Sequence, residues 1–108
     1  MIARVWHGYT KPEHADEYES MLKPDLLPGL SEKPGFAGSY LLRRERGAEV
    51  EFVTIILWES LDSLKAVAGE NYEHAIVPEE RRRVLVRWDD TAVHYEVRAT
   101  RTPGWGAA

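Results

Sequence analysis

The run VEFVTIILW, residues 50–58, decides the fold. It is rich in β-branched and aromatic residues, and both faces of its second half are apolar. A strand of that kind belongs where the sheet is covered on both sides. The chain's own helices can cover one side. The other side needs a second cover.

Toward the N-terminus, Gly47-Ala48 separates this run from FAGSYLLRRER, residues 36–46, and predicts a hairpin. Residues 24–35 hold Pro24, Pro28, Gly29, Pro34 and Gly35, which predicts a loop long enough to border a site. Before it, Ala15, Tyr18, Met21/Leu22 and Leu26 recur at helical spacing. Thr10 with Glu13 matches a capping box and Pro12 suits a first turn, so a helix is placed at about 12–23, ended by Pro24. Residues 2–9, IARVWHGY, read as the first strand.

Toward the C-terminus, Ser60 caps a helix with the stripe Leu61, Leu64 and Val67/Ala68, stopped at Gly69. Residues 70–77 are expected to add one or two helical turns, and Pro78-Glu79-Glu80 to start a short helix through Arg83, with Glu79 and Arg83 four apart. No element is assigned to residues 84–90. Residues 91–98 form the last strand, with Val93, Tyr95 and Val97 on one face. The order is β-α-β-β-α-(α)-β, the split βαβ, ferredoxin-like pattern of an α+β domain with a four-stranded antiparallel sheet. The domain spans residues 1–98. The Gly/Pro-punctuated tail, 99–108, is expected to be mobile unless Trp105 docks.

The composition narrows the function classes. At 108 residues the chain is one domain, and a domain of that size buries roughly two-thirds of its unfolded surface. A net charge of −4 disfavours nucleic acid as a partner, because phosphates require a basic face. The one basic cluster, Arg81-Arg82-Arg83, follows Glu79-Glu80 directly. The absence of cysteine excludes a disulfide framework, a thiolate metal site and a cysteine nucleophile. No apolar run has the length of a signal peptide or a membrane span, so a soluble cytoplasmic protein with no membrane partner is expected. The sheet face away from the helices stays apolar on the third and last strands, and a second copy of the chain is its simplest cover. A homodimer is therefore expected.

Pro34-Gly35-Phe36 opening the second strand, Leu57-Trp58-Glu59-Ser60 ending the third, and the closing His94-Tyr95-Glu96-Val97 give the chain a resemblance to the antibiotic-biosynthesis-monooxygenase family over about residues 1–98. That resemblance implies a dimeric α+β barrel with a pocket in each subunit between sheet and helices. Some family members oxidise polycyclic phenols to quinones with O₂ and neither metal nor flavin. Others degrade heme, and relatives on the fold include polyketide cyclases, small lactone isomerases and proteins without known activity. The heme-degrading branch uses an Asn on the first strand and a Trp and a His ten residues apart on the second helix. Here His7 stands at the Asn position, His74 matches the His, and Leu64 stands where the Trp would be. Only a fragment of that triad carries over.

His7 and His74 are the candidate catalytic residues, since imidazole titrates near neutrality and can accept a proton from a phenol. On the first strand, a face that begins Ala3-Val5 suits close packing under a helix, so His7 is expected on the helix side, lining the principal pocket. Trp6, Tyr40 and Tyr72 offer flat faces to an aromatic substrate, and Arg43 a cation for a phenolate or carboxylate. Each has a plainer reading. Trp6 and Tyr40 serve equally as core or interface residues, Arg43 and Arg44 as partners of Glu49 or Glu51 across the hairpin. Trp58 reads as a packing anchor, His94 as structural and His14 as surface. No histidine pair has the spacing of a helical zinc site, and there is no glycine-rich phosphate loop or nucleophile elbow. The expected protein is a monooxygenase-like enzyme acting without metal, flavin or other cofactor on an aromatic, polyketide-like small molecule. A non-catalytic binder of a hydrophobic small molecule and a proton-transfer cyclase or isomerase are the alternatives.

Overall fold

A computed structural model of the chain describes residues 1–23 and 29–101. The elements run β1 (Ile2–Thr10), α1 (Ala15–Leu22), β2 (Phe36–Arg46), β3 (Glu49–Trp58), α2 (Leu61–Ala68), α3 (Glu79–Arg82), β4 (Leu85–Trp88) and β5 (Val93–Glu96). Short 3₁₀ turns at Pro12–His14 and Leu30–Glu32 precede α1 and β2. The sheet order is β2-β3-β1-β4, with β5 also paired to β1, and all pairings are antiparallel. The α+β, ferredoxin-like class read from the sequence is the fold. Among the described residues no helix is long and apolar enough to cross a membrane.

The local signals act where they stand. Ser60 Oγ accepts a hydrogen bond from the Ser63 amide and starts α2, and Gly69 at φ 86° ends it. Gly35 holds φ 85°, and a side chain there would collide with Ser63 of α2. Its carbonyl accepts the Glu59 amide at 2.8 Å, so the second strand is pinned beneath α2. The predicted Glu79–Arg83 pair closes at 3.5 Å.

Four expectations are corrected. The strand read at 91–98 is β5, and a further strand, β4, stands at Leu85–Trp88, where no element was expected. β4 pairs with Gly8–Thr10 and β5 with Ile2–Val5, and the chain breaks between them over residues 89–92. Residues 70–77 add no helix. They turn and then run extended, with His74 bridged to Thr91, Ala75 donating its amide to Asp90 and Glu73 accepting from Ala92. Backbone partners in the strand break therefore win over local helix propensity. Thr10 forms no capping box, because it is the last residue of β1 and its hydroxyl is buried in the core. Finally, the faces of β1 are reversed. Ile2, Arg4, Trp6, Gly8 and Thr10 lie toward the helices, paired with Trp58, Ile56, Thr54, Phe52 and Val50. Ala3, Val5 and His7 lie on the outer face, paired with Leu57, Ile55 and Val53. The bulk of Trp6 decides this: an indole gains more from burial under α1 than Ala3 or Val5 would. Pro24, Pro28 and the 102–108 part of the tail, with Trp105, lie outside the described residues.

The core has two parts. Trp6, Tyr18, Leu22, Val50, Phe52 and Leu85 form one cluster under α1, with Tyr18 set edge-on to Phe52 at 4.9 Å. Ile56, Trp58 and Leu64 form the other under α2, with Phe36 edge-on to Trp58 at 6.1 Å. Trp58 is 1% exposed and anchors the smaller cluster. Trp58→Ala is expected to cost about 3–5 kcal/mol, read as a lowered thermal or urea midpoint. A variant that melts like the wild type would show that Trp58 carries no packing role.

Candidate functional site

A cavity of about 70 Å³ lies between the sheet and the helical layer, at the seam between the two core clusters. The β1–β3 register places the sheet side of it: Arg4 opposite Ile56, and Trp6 opposite Thr54. From α1 come Tyr18 and Leu22. The extended segment 75–77 and Arg81 of α3 complete the wall, with Ile76 82% exposed at the mouth. Trp6 is held by its indole N–H, which donates to the Asp89 carbonyl at 2.7 Å, and by Gly8, where a Cβ would press on the indole at 3.1 Å.

The electrostatics are one-sided. Two guanidiniums and no carboxylate line the cavity. Burial holds the Arg4 guanidinium below its ordinary value, and its Nε is buried without a hydrogen-bond partner. Burial pushes the Tyr18 phenol up to about 12, against a smaller opposing pull from Arg81. Tyr18 therefore stays protonated near neutral pH and can donate a hydrogen bond but not accept a proton. Across β1–β5 from Arg4 stands His94. Burial first and Arg4 second hold its imidazole below the ordinary range, and its Nε2 is buried and unpartnered. Tyr72 packs edge-on to this ring at 5.1 Å.

Of the residues singled out in the sequence, Trp6 alone lines the cavity. Tyr72 stands behind Arg4, packed on His94 and the Trp58 cluster. His74 is exposed and opens on a second recess, with Trp88 and Asp90, on the other side of the shared wall Ala75–Val77. Tyr40, 57% exposed, is on the outer face opposite Ile55. Arg43 is on the helix side, but Asp16 at 2.7 Å and Glu19 at 3.1 Å of α1 hold it away from the cavity. Arg44 makes the cross-hairpin pair with Glu51.

His7 is not in the cavity, contrary to expectation. It lies on the outer face at the strand break, with Nδ1 3.1 Å from Asp89 Oδ2 and Nε2 3.9 Å from Glu51 Oε2. The residues that sequence reading missed are Arg4, Tyr18 and Arg81. Arg4 did leave a signal, as a lone charge between Ile2 and Trp6 on a face otherwise fit for burial.

An antiparallel sheet with helices on one face and a cavity between the two layers defines the α+β class of this domain. The chain belongs to the antibiotic biosynthesis monooxygenase family, whose model matches residues 1–79. No match is found among curated proteins. Among solved structures, the chain is similar to a Bacillus cereus protein assigned as an antibiotic biosynthesis monooxygenase, at 15% identity and TM-score 0.69, covering 95% of this chain and 96% of that one. It is similar to the heme-degrader MhuD of Mycobacterium tuberculosis, described with two hemes in its active site, at 21% identity and TM-score 0.63, covering 94% and 100%. It is also similar to SnoaB, a cofactor-independent oxygenase from Streptomyces nogalater, at 18% identity and TM-score 0.61, covering 92% and 95%.

The Tyr18 phenol gives a pH signature with a definite sign. Its folded value lies above the unfolded one, so its contribution to stability is complete below about pH 10 and is lost as pH rises toward about 12. Tyr18→Phe is expected to flatten the fall in stability across that window. Denaturant midpoints that fall equally steeply in both proteins would overturn the assignment.

Proposed function

We propose that the chain is a small-molecule oxygenase acting on an aromatic, polyketide-like substrate held in the cavity between sheet and helices. The observation that carries the reading is the position of this cavity on the family fold, with Trp6 and Tyr18 as its aromatic walls. One edge of a ring system fits the enclosed space, and the remainder extends past Ile76 to the surface.

The chemistry needs little from the protein. A ring CH₂ beside a phenol loses a proton, and the resulting anion reduces O₂. The carbon becomes a carbonyl that retains one oxygen atom, the other leaves as water, and the substrate supplies all four electrons. No lining residue is a base near neutral pH, since Tyr18 is raised to about 12 and the arginines are cations. The cavity therefore works on the conjugate base once it has formed. Arg4 lowers the energy of the anion, the Tyr18 hydroxyl donates to it, and the aromatic walls keep bulk water away.

Heme fits this cavity poorly. A volume of about 70 Å³ has no room for a porphyrin, and His74, the residue that matches the heme-degrading branch, opens elsewhere. The second reading, binding without turnover, is favoured by the same lack of a resident base.

The test is O₂ uptake with a hydroxylated anthrone as probe. Quinone should form with one O₂ consumed per product, and Ala75→Leu, which fills the cavity from its wall, should abolish uptake with the fold intact. Uptake that survives Ala75→Leu would place the chemistry elsewhere. Saturable binding without uptake would select the second reading.

The same proposal includes a homodimer formed through the outer face. Tyr40, Leu42, Val93 and Tyr95 are 47–57% exposed there, around Val5, Val53, Ile55 and Leu57. The opposite end of that face is polar, with Glu51 bridging Arg44 and His7, and Arg87 stacked 3.6 Å over Tyr9. Sedimentation should return a dimer at micromolar concentration, and Ile55→Asp should dissociate it. A monomeric wild type would refute the arrangement.

A further inference from the structure

Arg43, Arg44, Arg83, Arg87 and Arg98 are at the surface, and each has a carboxylate partner, while Arg46, Arg82 and Arg101 are exposed to water. Arg4 is the most enclosed of those compared and, among the described residues, forms no ion pair and leaves its Nε without a hydrogen bond. Stability alone would select the reverse, because an unpaired charge is costliest where water is excluded. Its cross-strand partner on β3 is Ile56, so an apolar side chain would suit the position structurally. On β5 the neighbour is His94, whose own Nε2 is also unpartnered, so the two side chains make no hydrogen bond through these atoms. Arg81, the second cation on the cavity, likewise forms no ion pair among the described residues. In a protein of net charge −4, the cavity at the sheet–helix seam is walled, among the described residues, by two positive charges and no negative one.

We propose that the cavity takes an aromatic acid, whose carboxylate pairs with the Arg4 guanidinium, with Arg81 adding its field from α3. This rests on the cavity being the ligand site. The ligand supplies what the fold withholds: an acceptor for Arg4 Nε and a counter-charge in apolar surroundings. A guanidinium meets a carboxylate through two parallel N–H···O bonds, which fixes the orientation of the attached ring against Trp6. Arg4 is thus a specificity-determining residue for a substrate that carries a carboxylate.

The test is calorimetric titration of the full chain at near-neutral pH with salicylate and with salicylamide, which has the same ring and hydroxyl but a neutral amide. Salicylate should bind about tenfold more tightly or better. That preference should vanish in Arg4→Met, shrink in Arg81→Met and survive in part in Arg4→Lys. Should Arg4→Met fail to fold, Arg81→Met carries the test, because α3 lies outside the core clusters. Equal affinities, or a preference unchanged in the variants, would overturn the inference and leave the cavity as a neutral-ligand site. If neither compound binds, the cavity is not the site and both readings fall.

Discussion

The register of β1 against β3 is the constraint on which the rest depends. Antiparallel pairing from Ile2–Trp58 to Thr10–Val50 commits every second residue of the central strand to the helix side. A slip of one position would bury His7 and expose Trp6. With this register, Trp6 enters the cluster under α1 and Ile2 packs against the cluster under α2. Arg4 falls between them, on the cavity that Tyr18 and Leu22 of α1 border from the helix side. The cavity is thus a by-product of two helices packing at opposite ends of one strand, and its charge comes from the residue that the register leaves at the gap.

Trp6 ties that seam to the edge of the sheet. Its indole N–H ends on the Asp89 carbonyl, where β4 gives way to β5, and the Asp89 amide donates to the His7 carbonyl. One residue at the strand break thus serves both faces of β1, holding the aromatic wall on one side and receiving His7 Nδ1 on the other. Outer face and cavity are coupled through the backbone at this point, although His7 itself never reaches the cavity.

The parts legible in the sequence are those with local causes. The hairpin over residues 36–58 follows from two strand-like runs around Gly47, the second rich in β-branched residues, and α2 follows from Ser60 and Gly69. The faces of β1 were not legible, because Ala3-Val5 and Ile2-Trp6 are both apolar sets and tertiary packing of Trp6 chose between them. β4 was missed because it is only four residues long, Leu85–Trp88, and is followed directly by Asp89-Asp90. Segment 73–77 has ordinary helical residues, but the unpaired backbone at 90–92 captured it. For the site the limit is sharper still. Arg4, Tyr18, Ala75 and Arg81 come from four separate elements, and no spacing in the chain relates them.

That captured segment bears on how the cavity fills. Ala75–Val77 form a wall, and this segment is joined to the strand break by two hydrogen bonds, the Ala75 amide donating to the Asp90 carbonyl at 2.9 Å and the Ala92 amide to the Glu73 carbonyl at 2.8 Å. Two such bonds contribute about 1–3 kcal/mol together, well below the stability of a whole domain. Breathing of the segment therefore costs far less than unfolding, and it leaves the β1–β3 ladder, with Arg4 and Trp6, undisturbed.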